Sequence, residues 1–112
     1  MDNLFVYGTL RRGHNNHHVL SMSKAVLIDL DAKTIENYRH VVDFLPKVFK
    51  QESTSPVKGE LYMIPTLKYV DTLEGHPHLY RREKVNILDS RDKVHRAWLY
   101  FFNTGEKYYG IQ

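Results

Sequence analysis

The 112-residue sequence contains no cysteine. That excludes a disulfide framework, a thiolate nucleophile and a cysteine-ligated zinc site together, and it fits a cytoplasmic setting. Long apolar runs are absent as well. None approaches the ~20 residues a membrane span needs, and the opening Met1-Asp2-Asn3 lacks the basic and apolar stretches of a secretory leader. Runs of one charge are also missing. Arg11-Arg12 and Arg81-Arg82 are only pairs, and the net charge is a modest +3. Such charge reads as a solvated surface, with no nucleic-acid track and no membrane anchor. No Walker loop or dinucleotide glycine fingerprint occurs. None of Ser21, Ser23, Ser53, Ser55 and Ser90 stands in a Gly-x-Ser-x-Gly context.

What is present is enough for one domain spanning residues 1–112, with 42% hydrophobic and 26% charged residues. Leu4-Phe5-Val6 begins a buried strand, which Tyr7-Gly8-Thr9-Leu10 breaks. Arg11 to His18 reads as a loop, with Asn15 or Asn16 capping a short helix that runs to about Met22. Ala25 to Ile35 alternates as a half-buried strand, with Val26, Ile28 and Leu30 sharing one face. Tyr38 to Phe44 is a second strand, ended by Leu45-Pro46, and Lys47 to Lys50 is extended. After the polar loop 51–56, Val57 to Ile64 forms another strand. Its Gly59 marks a bulge or a close backbone contact.

Pro65 to Gly75 gives the clearest helix, with Leu67, Val70 and Leu73 on one stripe and Gly75 at its left-handed end. Arg81 to Leu88 and Val94 to Phe102 are strands joined by a turn at Ser90-Arg91-Asp92-Lys93. The last strand is apolar on both faces, as a strand covered on both sides must be. A turn at Asn103-Thr104-Gly105 precedes the Tyr108-Tyr109 tail. Strands dominate and do not alternate with helices. The expected class is therefore α+β: a small mixed β-barrel of about six or seven strands with one or two short helices.

Two features carry chemistry. Gly8, at a strand end, lets backbone approach a ligand, and successive N–H groups in such a turn form an anion cradle. Glu74 breaks a local rule. A carboxylate in the last turn of a helix faces the negative end of its dipole, at a cost of roughly 0.3–1 kcal/mol. The same placement raises its pKa toward the range useful for proton transfer, and Asp71, one turn earlier, would either add to the rise if the two approach or simply be solvated. His14, His17 and His18 have no acidic residue among them, and His76-Pro77-His78 reads as a stiff turn. Neither set is expected to hold a metal.

In order and spacing, several pieces resemble the gamma-glutamylcyclotransferase-like family. They are Phe5-Val6-Tyr7-Gly8-Thr9-Leu10, Arg11-Arg12-Gly13, Asn16-His17, Leu45-Pro46, Val57-Lys58-Gly59-Glu60-Leu61-Tyr62, Leu73-Glu74-Gly75 and Tyr80-Arg81-Arg82. The resemblance is nearest to the gamma-glutamylamine cyclotransferase branch. It implies a barrel-like fold with a pocket at one end, Glu74 as catalytic acid/base, and substrate held by Tyr7, Gly8, Thr9, Leu10 and Tyr80. It also implies release of 5-oxoproline from a small gamma-glutamyl compound, without metal or organic cofactor. Two other readings compete: a binding module that uses the same pocket without catalysis, and a small RNA-binding barrel suggested by the 12% aromatic content. The oligomeric state is open.

Overall fold

Strand β1 (Asp2–Val6) is apolar from Leu4 to Val6 because both of its faces are covered. Phe5 joins one buried cluster, while Leu4 and Val6 join another. The computed structural model describes residues 1–41, 46–50 and 53–103. After β1 come α1 (His17–Met22), β2 (Val26–Thr34), β3 (Arg39–Val41), β4 (Lys47–Phe49), β5 (Lys58–Ile64), α2 (Lys68–Glu74), β6 (Tyr80–Leu88) and β7 (Val94–Phe102). The later part of the expected 38–44 strand, the 104–105 turn and the Tyr108-Tyr109 tail lie outside the described residues.

The expected α+β class holds, with seven strands and two helices among the described residues. The ring, however, uses only five of the strands, in the order β1-β5-β2-β6-β7, and β3 and β4 pair separately. Its seams are thin. β2 and β6 share two register pairs, Lys33–Leu88 and Thr34–Ile87. β1 and β7 run parallel and meet at Leu4 and Trp98. One cluster fills the ring and includes Phe5, Leu61, Ile87 and Leu99. The other joins the helices to the strands and includes Leu20, Tyr62, Val70 and Tyr100. This double coverage explains β7: Ala97, Leu99 and Phe101 belong to the first cluster, and Tyr100 to the second.

β2 departs from its expected pattern. Val26, Ile28 and Leu30 are exposed, whereas Ala32 and Thr34 are buried. The pairing with β5 shifts between Leu27 and Asp29 and again between Asp29 and Ala32. Because a one-residue shift turns every side chain to the opposite face, simple alternation does not survive two of them. Asp29 sits within the irregular stretch and accepts hydrogen bonds from the Ser90 N–H at 2.8 Å and the Ser90 hydroxyl at 2.7 Å. It thereby ties β2 to the turn between β6 and β7. Gly59 is the expected close contact. A Cβ there would run into the Val6 carbonyl oxygen and come within 2.7 Å of Phe5 Cζ.

Helix α2 starts at Lys68 instead of Pro65. The Thr66 hydroxyl accepts the Lys68 N–H at 3.2 Å, so the preceding residues form a turn before the helix begins. Leu67 and Val70 are buried, while Leu73 is 37% exposed and lines a cavity. Gly75 ends the helix at φ 65°, in the left-handed region a glycine adopts without strain.

Candidate active site

The segment after β1 is held by its carbonyls. The Gly8 carbonyl accepts the Arg11 N–H at 3.1 Å and Arg11 Nε at 3.0 Å. The Thr9 carbonyl accepts the Asn16 N–H at 3.0 Å, and the Thr9 hydroxyl accepts Asn16 Nδ2 at 2.8 Å. The Leu10 carbonyl lies 2.9 Å from His17 Nδ1. Among the described residues, the N–H groups of Gly8, Thr9 and Leu10 donate to nothing. Every acceptor of the turn is engaged and three successive donors are free, which is the arrangement an anion cradle needs. The exit is fixed too: the buried Glu60 carboxylate accepts the Arg12 N–H at 3.0 Å and the Tyr62 hydroxyl at 2.9 Å. Asn16 does occupy the cap position of α1, but its side chain makes no capping bond and braces the turn instead.

A cavity of about 310 Å³ opens between this turn and the end of α2. All six residues singled out from sequence line it: Tyr7, Gly8, Thr9, Leu10, Glu74 and Tyr80. Glu74 is partly buried, and that burial raises its pKa from 4.5 to about 7. Asp71 plays a different part from the one expected. Its carboxylate accepts Arg82 Nε at 2.8 Å, Arg82 Nη2 at 3.1 Å and the Tyr100 hydroxyl. Burial pulls its pKa up, but these bonds outweigh that and hold it below the ordinary value. Asp71 is thus committed to Arg82 and Tyr100, and burial, without it, is the cause of the rise at Glu74.

The two predicted tyrosines act through backbone. The Tyr7 hydroxyl donates to the Tyr100 carbonyl at 2.7 Å, joining β1 to β7, and the Tyr80 hydroxyl donates to the Pro46 carbonyl at 2.9 Å. Burial, with the charge of Glu74 next, pushes the Tyr7 phenol well up, so it stays protonated at neutral pH. Sequence reasoning missed Tyr100 and Asn16, both of which line the cavity. Tyr100 did carry a signal, as a hydroxyl-bearing residue within the most apolar strand.

Gly8 is needed for packing as well as for approach. A Cβ there would lie 3.2 Å from Pro46 Cβ and 3.4 Å from Pro46 Cγ, on the cavity rim. Gly8→Val is therefore expected to displace the amide cradle and raise KM by roughly a hundredfold, as misplacement by about 1 Å can do. Steady-state kinetics showing an unchanged KM would refute this.

Comparison with known proteins shows the family and the fold. The family model described as "Gamma-glutamyl cyclotransferase, AIG2-like" matches residues 4–111. A Methanocaldococcus jannaschii protein provisionally named gamma-glutamylcyclotransferase is 44% identical over 105 residues, covering 91% of this chain and 85% of its own. The gamma-L-glutamyl-butirosin B gamma-glutamyl cyclotransferase of Niallia circulans is 32% identical over 111 residues, covering 92% and 68%. Human gamma-glutamylaminecyclotransferase is 31% identical over 105 residues, covering 79% and 64%. In fold, the crystal structure of a mouse AIG2-like protein superposes with a TM-score of 0.84 at 24% identity, covering 96% of this chain and 80% of its own. With a family match along nearly all its length and that superposition of fold, the chain belongs to the gamma-glutamyl cyclotransferase, AIG2-like family.

Proposed function

We propose that the protein releases 5-oxoproline and a free amine from a gamma-glutamyl amine or gamma-glutamyl amino acid, with Glu74 as general acid and base. One observation carries this reading: a carboxyl group whose pKa burial raises to about 7 shares a small cavity with three backbone donors that are unpaired among the described residues. A gamma-glutamyl substrate brings its own nucleophile, the α-amine, so no serine or cysteine is required. The protein must fold the substrate so that this amine reaches the γ-carbonyl carbon, which is where an intramolecular reaction gains most.

Ionised Glu74 accepts a proton from the α-ammonium. The freed amine attacks the γ-carbonyl, a C–N bond forms, and the carbonyl oxygen becomes an oxyanion. Protonated Glu74 then donates to the departing nitrogen, the original C–N bond breaks, and the carbonyl is restored. Glu74, ionised again by that donation, takes the second proton from the ring nitrogen and passes it to the released amine, so two protons leave the α-nitrogen, two reach the leaving nitrogen, and no other reactant is needed. The N–H groups of Gly8, Thr9 and Leu10 serve as donors to the oxyanion or to the substrate α-carboxylate. Tyr7 and Tyr80 form the walls.

The assay is release of 5-oxoproline from gamma-glutamyl-ε-lysine and gamma-glutamyl-alanine in parallel. Because the base must be ionised to accept the first proton, kcat/KM is expected to climb between pH 5 and pH 8 with a half-maximum at about 7. A half-maximum near 4.5, the ordinary value for a glutamate, would remove Glu74 from this role.

A further inference from the structure

A second hollow adjoins the first, and Tyr7 and Pro46 line both. Its charged groups are all basic: Arg11, Lys33 and Lys58, with His40 among them. Lys33 on β2 and Lys58 on β5 are direct register partners. Like charges placed opposite each other on neighbouring strands destabilise a sheet, and breaches of a local rule of this kind concentrate where a ligand is handled. Among the described residues, none of the three cations is paired with a carboxylate. The lysines also border a groove containing Asp31, Asp89 and Asp92. Asp89 is already engaged there by His95 at 2.8 Å and by the Arg91 and Lys93 N–H groups.

Two details aim this charge at the cavity rim. Arg11 Nε donates to the Gly8 carbonyl at 3.0 Å, which pins its guanidinium to the turn that carries the amide cradle. His40 packs edge-on against the Tyr7 ring at 5.3 Å, and its Nε2 is sealed from solvent without a partner. Burial, followed by the charge of Arg11, holds the His40 pKa below its ordinary value.

We propose that this basic hollow is the leaving-group subsite and receives a carboxylate of the released amine, so that gamma-glutamyl amino acids are favoured over gamma-glutamyl derivatives of plain or polycationic amines. The inference rests on the cyclotransferase reading. With the gamma-glutamyl group in the first cavity, the departing nitrogen lies at the shared rim of Tyr7 and Pro46. A carboxylate on the carbon next to it meets Arg11 and the two lysines. A second ammonium would meet three cations that form no ion pair with a carboxylate among the described residues.

The test uses a matched pair. Gamma-L-glutamyl-L-alanine and gamma-L-glutamyl-ethylamide differ only by the carboxylate. The alanine compound is expected to show about tenfold higher kcat/KM, the size of one charge-assisted hydrogen bond. In Lys33→Gln/Lys58→Gln that ratio should fall to within about twofold of unity. This variant relieves a like-charge pair, so it should melt no lower than the parent protein. Equal rates on the two substrates, or a ratio that survives the double substitution, would overturn the proposal. If neither substrate turns over, the cyclotransferase reading falls, and a succinate titration followed at the His40 ring resonances decides the subsite by itself. A saturable shift that the double variant loses supports an anion site; no shift removes it.

Discussion

Glu74→Gln is expected to abolish 5-oxoproline release while making the protein more stable at pH 8. The glutamine keeps the shape and the polarity but cannot carry a proton. Loss of a general acid–base group costs typically 10²–10⁴-fold in rate, and here one group serves both halves of the reaction. The stability gain follows from linkage. Glu74 has a folded pKa of about 7 against an ordinary value of 4.5. Below pH 4.5 the group is neutral whether the chain is folded or not, and it costs nothing. As pH rises from 4.5 to 7 the unfolded chain ionises first, and stability declines. Above 7 the full penalty is present, which at about 1.4 kcal/mol per pH unit over the span from 4.5 to about 7 is on the order of 3 kcal/mol.

Melting curves at pH 4 and pH 8 separate the two states. The variant should gain several degrees at pH 8 and nothing at pH 4. Full activity in Glu74→Gln would end its assignment as acid and base. An equal melting shift at both pH values would show that the carboxylate is not desolvated in the folded protein. A group kept at an unfavourable position for chemistry, and improved in stability by its own removal, is the usual trade at an active site.

Gly59→Ala should be the most destabilising small substitution in the ring. The added Cβ meets the Val6 carbonyl oxygen and lies 2.7 Å from Phe5 Cζ and 3.1 Å from Phe5 Cε1. A side chain can turn away, but a backbone carbonyl in a sheet cannot. Val6 is the register partner of Glu60, next to Gly59, so yielding means parting β1 from β5. Overpacking costs typically 1–3 kcal/mol and occasionally more. With a backbone atom in the way we expect about 3 kcal/mol, a fall of some 10 °C or more in Tm. Val6 leads directly into Tyr7 and the amide cradle, so the protein that remains folded should also show a raised KM. A Tm within two or three degrees of the parent, measured by thermal melt, would contradict the close contact.

Gly8 and Glu74 of the candidate site were legible in the sequence because each left a mark on a local pattern, whereas Tyr7 and Tyr80 entered through the family resemblance, and Asn16 and Tyr100 were missed. A strand that stops at a glycine, and a helix that ends on a carboxylate before another glycine, can both be read without tertiary information. The reason assigned to Glu74 was only half sufficient. The helix terminus placed it, but burial lifts its pKa, and burial depends on chain far away in sequence. Asp71 could not be assigned from its spacing, since its partners Arg82 and Tyr100 come from β6 and β7. The exposed face of β2 was hidden for another reason. Val26, Ile28 and Leu30 alternate as a buried strand does, and only the register shifts against β5 reveal that the alternation is broken. The Lys33–Lys58 pairing was equally invisible, because register between distant strands leaves no trace in either strand alone.

The seam between β1 and β7 also bears on when the protein becomes functional. The ring closes where nearly the first strand residues meet the last, at Leu4 and Trp98, and the Tyr7 hydroxyl bond to Tyr100 crosses the same junction. Contacts so distant along the chain form late and slow the search for the native state. During synthesis, β1 is made well before its second neighbour, β7, exists. The amide cradle hangs from the end of β1, so the strand that carries it is flanked on both sides only once β1 has met β7 as well as β5.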